Sequence, residues 1–405
     1  MTSTEPLIFN PLADGYIENP YPHIAEMRNA DPVNLTLFNQ WILFRYDDVS
    51  RLLRDPGMSV QENNVEIIDQ ERNDLFVELA GEDLEPSTSM LGADPPDHTR
   101  LRKLVSKAFT PSAIAALRPR IQELVDHTLD AIEHRGHGDV VAELAFPLPF
   151  DVISEMLGMP ESDKEQIAAW SAAIVKTLDP IISEEEIREA VKSDRAMTTH
   201  IESVIEWKRE QRGDDLLTAL IDAEEDGDRL STRELRDQIV LLFIAGHETT
   251  VNLIGTGIYE LLRHPDQLPI MRDEANAVNA IDELLRYVSP VQMSRRITLD
   301  DAEFGGKTIE RGSMVLAGLA ASNHDPAKWG PSADELDLLR DDAGQHMAFG
   351  GGVHYCLGAS LAKLEAQVAI GSFVRRFPGA RVDGDVEWNG RINLRGLEHL
   401  PVAVN

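Results

Sequence analysis

The chain is poor in several things. Of its 405 residues only Cys356 is a cysteine. That excludes an internal disulfide and leaves a cysteine-based zinc centre without its further ligands. Basic residues are scarce: 38 Lys and Arg stand against 70 Asp and Glu, a net charge of −32 at pH 7. Such an excess argues against a nucleic-acid partner and for high solubility. No stretch approaches the roughly eighteen apolar residues that a membrane helix needs, so no membrane insertion is expected. The opening MTSTEPLIFNPLADGYIENP has neither the basic nor the apolar region of a signal peptide. With one unpaired thiol, a cytoplasmic setting is expected. No Gly/Ser-rich or Pro-rich linker and no internal repeat divides the sequence. Residues 1–405 therefore read as one domain, with 1–19 as an irregular N-terminal arm.

What is present centres on the lone cysteine. Phe349-Gly350-Gly351-Gly352-Val353-His354-Tyr355-Cys356-Leu357-Gly358 is a glycine-dense loop running into a helical pattern with Leu361, Leu364, Val368 and Ile370. Cys356 falls at or just before a helix N-terminus, where free N–H groups and the positive dipole end favour a thiolate. The glycines let the backbone turn sharply and let something flat approach closely. Four uses are open to this thiol: an inert buried side chain, a zinc ligand, a nucleophile with His354 as base, or the sole protein ligand of a haem iron, which needs one cysteine and no more.

A second unusual stretch lies in the most apolar helical pattern, Asp237 to Leu262. There Ala245-Gly246-His247-Glu248-Thr249-Thr250 places an acid and two hydroxyls among apolar residues. Polar groups at mid-helix are costly to bury unless paired, which marks a candidate site. A zinc-protease helix is excluded, since Val251 stands where the second histidine would be. Upstream, Asp94 to Arg102 opens a helix on which His98 and Arg102, four apart, share a face and could clamp a carboxylate. Arg100, Lys103 and Lys107 read equally as a solvated basic face.

The remaining pattern is mainly α with a small β region. Tyr21–Ala30 reads as a helix, Val33–Leu37 with Trp41–Phe44 as a hairpin, and Asp47–Arg54 as a capped helix. Gly57 to Gly92 is a long irregular loop ending in Met90 and Leu91. Helix follows helix from Pro111 to Gln238. Glu283 and Arg286 lie three apart on one helix face. Asp300 to Leu316 reads as a hairpin, Val386 to Val404 as strand-like, with Ile392-Asn393-Leu394 at a tip.

Phe-Gly-x-Gly-x-His-x-Cys-x-Gly, matched at every fixed position by Phe349 to Gly358, resembles the haem-binding loop of the cytochrome P450 family. Ala245 to Thr250 is similar to that family's oxygen-activating motif, and Glu283-x-x-Arg286 to its structural bridge. The resemblance spans about Asn19 to Val402 and is strongest to the soluble bacterial branch that hydroxylates macrolides and other secondary metabolites. It implies a P450 fold and haem b bound by Cys356 as axial iron ligand. His98, Arg102 and Arg296 would hold the propionates, with Arg295 a competing neighbour of Arg296, and His354 would also bind the cofactor. Leu91, Ala245, Gly246, Phe349, Gly350, Leu357 and Gly358 would lie against the haem. Thr249 and Glu248 would deliver protons for O2 activation. Met90, Leu242, Ala245, Val291, Met293 and Leu394 would line an apolar substrate pocket roofed by the 57–92 loop and by the helices around 167–182. The Glu283–Arg286 bridge would take a third partner from the segment Ala333-Asp334-Glu335-Leu336, which lacks the family's usual arginine.

On that resemblance the chain is a haem-thiolate monooxygenase inserting one oxygen atom into a C–H bond of an apolar small molecule. With no flavin or dinucleotide fingerprint, NAD(P)H would act only indirectly, through a separate ferredoxin or flavodoxin and its reductase. Arg100, Lys103, Lys107, Arg375 and Arg376 would dock that carrier. The alternatives are a peroxide-driven hydroxylase or decarboxylase, a haem gas sensor, and a cysteine hydrolase without haem.

Overall fold

A computed structural model describes residues 8–66, 78, 87–107, 109–160, 163–225 and 228–405. The expected roof residues Ile67, Ile68, Leu75, Phe76, Val77 and Leu79 lie outside the described residues.

Local chemistry explains where the long helices begin. Glu184–Glu210 and Thr232–Gly246 each open with a capping box, Ser183 with Glu186 and Ser231 with Glu234, which satisfies two otherwise orphaned backbone groups. Arg118–Arg135 closes on Gly136, whose φ of 79° suits a residue without Cβ. Tyr21–Ala30 forms as the periodicity predicts. Tyr46–Arg54 forms too, but without a side-chain cap, because Arg45 occupies the capping position.

Three helices make the centre. Glu248–Arg263, Ala277–Val288 and Ala359–Arg376 bury their apolar faces against each other, with Ile254, Ile258, Leu284, Val368, Ile370 and Phe373 in one cluster. Gly257 sits where they meet. A Cβ there would stand 3.0 Å from Ile370 and 3.6 Å from Leu284, so glycine is what permits the approach. A second cluster, including Met90, Phe150, Ile201, Leu242 and Phe243, joins Thr232–Gly246 to the helices Pro147–Leu157 and Glu184–Glu210.

The β region is small and lies to one side. Val33–Leu35 pairs antiparallel with Trp41–Leu43, as expected for a hairpin. Trp41–Leu43 pairs parallel with Met314–Gly318, which pairs antiparallel with Met293–Thr298, and Met58–Ser59 closes the edge. The predicted 300–316 hairpin is shorter than the pattern suggests: Ala302–Phe304 and Lys307–Ile309 form it, and Met314–Gly318 leaves it for the larger sheet. The arm is held at its end, where Arg395 donates to the carbonyls of Ile17 and Glu18 at 2.9 and 2.6 Å.

The long apolar helix is not continuous. It runs Thr232–Gly246, breaks at His247 (ψ −73°) and resumes as Glu248–Arg263. Taken together, 232–263 is long and apolar enough to cross a membrane by composition, contrary to the sequence expectation. It is mostly buried in the core instead.

Candidate functional site

The Cys356 loop is held from below by a buried polar lattice. Arg286 forks onto Glu283 at 2.7 and 2.8 Å, and both side chains are fully buried. Arg286 also donates to the carbonyls of Asn323, Ala333 and Glu335. The segment 333–336 therefore does take part, through its backbone. The side-chain third partner is Arg340, whose Nε donates to Glu283. Asn323 Oδ1 accepts from Met347 N at 2.7 Å, which carries the lattice to the start of the loop. Phe349 O then accepts from Cys356 N at 3.0 Å.

Cys356 is exposed, although protein crowds it closely enough to desolvate its thiol. Burial pushes its thiol up, against the lowering effect of the Gly358 and Ala359 backbone N–H groups and of Arg102. The helix N-terminus thus acts in the direction read from sequence, but desolvation outweighs it. A metal cation would reverse the balance, since a coordinating thiol is deprotonated outright.

The second feature of the site is the break in the long helix. Ala245 and Gly246 are exposed although their helix is otherwise mostly buried. Thr249 Oγ1 donates to Ala245 O at 3.0 Å and Thr250 Oγ1 to Gly246 O at 3.3 Å, so hydroxyls bind carbonyls at the break. His247, given no role from sequence, is buried; its ring bonds Phe146 O at 2.9 Å and packs on Phe146 and Phe150. A short apolar-to-histidine change in an otherwise regular pattern is the only sequence signal for it. Glu248 is half-buried, and burial raises its carboxyl above the ordinary range, with Arg391 opposing and Glu398 and Asp179 reinforcing the rise.

A group of donors lies beside the cysteine loop. His98 is buried, and neither of its ring nitrogens has a hydrogen-bond partner. Its ring lies 4.2 Å from that of His354. Burial, then His98 and Arg296, push His354 down to about 4. Arg102 donates to Tyr355 O at 2.6 Å. Arg296 is buried, donates to Ser294 Oγ and Arg295 O, and is lowered to about 10 by desolvation. Arg295 points outward and pairs with Glu62 at 2.6 Å, so strand alternation separates two neighbours that sequence left ambiguous. The acid among these donors is Asp94, already engaged by Val60 N and Ser59 Oγ.

This donor set fits a planar group carrying carboxylates, because His98 is buried with neither ring nitrogen bonded and the one acid beside the donors, Asp94, is already engaged. The open space beside three glycines also fits: a Cβ placed on Gly246, Gly350 or Gly358 would meet nothing within 4 Å. Phe349, Leu357 and Leu91 border the same region, Leu91 exposed on the short turn Met90–Gly92. That turn is fastened to the long helix through Gln238, whose Oε1 accepts from Met90 N and whose Nε2 donates to Thr88 O.

The proposed substrate wall is only partly assembled. Met90 and Leu242 share a cluster, and Val291 bridges Leu394. Met293 instead packs with Phe9, Phe44 and Ile392 beside the arm, because it falls on the strand face opposite Ser294 and Arg296.

The cytochrome P450 family pattern matches residues 70–383. Cytochrome P450 107B1 of Saccharopolyspora erythraea is 41% identical over 403 residues, 96% of each chain. The 6-deoxyerythronolide B hydroxylase of the same organism is 36% identical over 412 residues, covering 97% of this chain and 98% of that one. The solved structure of the Bacillus subtilis bacillaene polyketide synthase cytochrome P450 PksS superposes with a TM-score of 0.87 at 34% identity, over 98% of this chain and all of that one. With its cysteine loop, its broken helix and matches of this length, the chain belongs to the cytochrome P450 family and is a haem-dependent monooxygenase.

Proposed function

We propose that this protein is a single-domain, cytoplasmic hydroxylase of an apolar secondary metabolite, of the polyketide-derived class that its relatives' names indicate. The observation that carries it is the presence in one chain of the Cys356 loop and of a helix break bearing Glu248 and Thr249. Bound haem supplies dioxygen binding and O–O cleavage, which a thiolate ligand favours. The chain's own residues do the rest. Cys356 would ligate the iron, its sulfur steadied by the N–H groups of Gly358 and Ala359. His98, Arg102 and Arg296 would hold the propionates, and His354 would also bind the cofactor. Ala245 and Gly246, both small and exposed at the helix break, would leave room for dioxygen. Thr249 and Glu248 hold protons on that open side, and the raised Glu248 carboxyl keeps its proton nearer neutral pH than an ordinary glutamate does. Met90, Leu242, Val291 and Leu394 orient the substrate and exclude water.

Electrons come from a ferredoxin or flavodoxin and its reductase, and ultimately from NAD(P)H. Docking on Arg100, Lys103, Lys107, Arg375 and Arg376 is supported by the Asp97–Ser106 helix, which Arg102 ties to the cysteine loop and which Lys107 ends; Arg375 and Arg376 stand in the last turn of the helix that leaves the loop. Arg100 pairs with Glu234, and Arg376 with Asp130 and Glu133. Such surface pairs are worth about 1 kcal/mol or less, so a partner's carboxylates can replace them.

The test is to supply the purified, haem-loaded protein with a ferredoxin, its reductase and NADPH, and to screen a panel of macrolides, terpenoids, steroids and fatty acyl compounds. Binding is read as displacement of the iron-bound water in the absorption spectrum, and turnover as product heavier by one oxygen. Product formed with peroxide but not with O2 and electrons would overturn the monooxygenase assignment.

A further inference from the structure

The tip of the C-terminal hairpin is gripped from three sides. Asn393 N donates to Asp179 Oδ1 at 2.7 Å, and Asn393 Nδ2 to Leu178 O at 3.1 Å, on the turn that precedes the Glu184–Glu210 helix. Asn393 O accepts from Gln292 N at 2.8 Å, and its Oδ1 from Met293 N at 3.0 Å. Asn252, one turn beyond Glu248 on the same helix, donates to Leu394 O at 3.2 Å. The tip therefore bridges the turn between two helices over the pocket and the helix that carries the acid of the proton-delivery motif.

Arg391 lies in this junction, with its Nη1 buried and without a hydrogen-bond partner. Two half-buried carboxylates lie within its electrostatic reach, Glu248 on the broken helix and Asp179 on the turn whose carboxylate accepts from Asn393 N. Glu398, on the strand Leu397–His399, adds negative charge on the Glu248 side, and Glu186, on the Glu184–Glu210 helix, adds it on the Asp179 side. Burial raises both carboxyls; Arg391 is the first to oppose the rise at Glu248, and at Asp179 it follows the Asn393 N–H.

We propose that Arg391 is a positioning residue shared between Glu248 and Asp179, so that seating the Leu178–Asp179 turn on the hairpin tip decides how firmly Glu248 holds its proton. With the turn seated, Asp179 takes part of the cation and Glu248 is left the better proton donor. With the turn lifted, Arg391 turns to Glu248 and holds it as the carboxylate. Closure over a substrate and readiness of the proton donor then become one event. This rests on Glu248 being a proton donor. It adds a control by two residues that lie outside every motif of the sequence.

The test is an infrared pH titration of the Glu248 carboxyl in the haem-loaded protein, with no turnover, the band being assigned by its loss in Glu248→Gln. Asp179→Asn removes the competitor, so Glu248 is expected to ionise at lower pH than in the parent. Arg391→Gln removes the cation, so ionisation is expected at higher pH, and Arg391→Lys should return it towards the parent. Should Arg391→Gln fail to fold, Asp179→Asn alone decides the matter. Parental titration in Asp179→Asn, or shifts of the same sign in Asp179→Asn and Arg391→Gln, would overturn the proposal. Failure of the proton-donor assignment is separately visible: Glu248→Gln would then leave peroxide release during turnover unchanged, whatever the titrations show.

Discussion

Arg340 donates its Nε to both carboxylate oxygens of Glu283, at 3.2 and 3.1 Å, and so completes a buried ion triad with Arg286. Removing one member of a buried pair typically costs about 3–5 kcal/mol. Here Arg286 would remain, so Arg340→Ala is expected to cost about 2 kcal/mol. Denaturant unfolding measures it. The loss should come with weaker haem retention, since the lattice runs through Asn323 to Met347 and the cysteine loop. Parental stability in Arg340→Ala would show that the triad is not a structural tie.

Thr249→Ala is expected to leave haem binding intact while diverting electrons from product to peroxide. The hydroxyl that binds Ala245 O at 3.0 Å is lost, and with it both a proton source and the bond at the helix break. Product and peroxide formed per NADPH consumed are the quantities to compare. Unaltered coupling would refute the role given to Thr249.

Charge reversal at Lys103 and Lys107, both exposed, is expected to slow reduction by the ferredoxin severalfold, and more so at low ionic strength. Stopped-flow reduction across a salt series tests this. Unchanged rates at low salt would place the docking face elsewhere.

Glu365 is buried within the Ala359–Arg376 helix, and desolvation raises its carboxyl from 4.5 to about 8. An acid whose folded-state pKa is raised stays neutral in the native state while the unfolded chain ionises. Stability is therefore full below 4.5 and declines as pH rises towards about 8. Glu365→Gln should flatten that decline, seen as a smaller fall in Tm between pH 5 and pH 8. A decline as steep as the parent's would place the pH dependence in other groups.

The parts of this protein that were legible in sequence are those fixed by local chemistry. The glycine spacing before Cys356, the acid and hydroxyls in an apolar helix, and the Tyr21–Ala30 periodicity all point to what is found. What was not legible depends on residues meeting from far along the chain. The break at His247 leaves the apolar pattern unchanged, so the 237–262 run reads as one helix. Arg340 reaches Glu283 across 57 positions, from a segment whose own residues do not announce it. Alternation puts Met293 and Arg296 on opposite strand faces, but which face meets the site is known only once the pairing with Met314–Gly318 is known. The Asp179–Asn393 bond joins positions 214 apart. The helix-end argument for Cys356 had the right sign but lacked the magnitude of burial.

The most direct measurement is the absorption spectrum of the reduced, carbon-monoxide-bound protein, for the parent and for Cys356→Ser. The parent is expected to show the long-wavelength band of a thiolate-ligated haem, and Cys356→Ser to lose that band while retaining some haem through His98, Arg102 and Arg296. A thiolate band that survives in Cys356→Ser, or a parent protein that stays colourless when supplied with hemin, would contradict the assignment of Cys356 as the iron ligand.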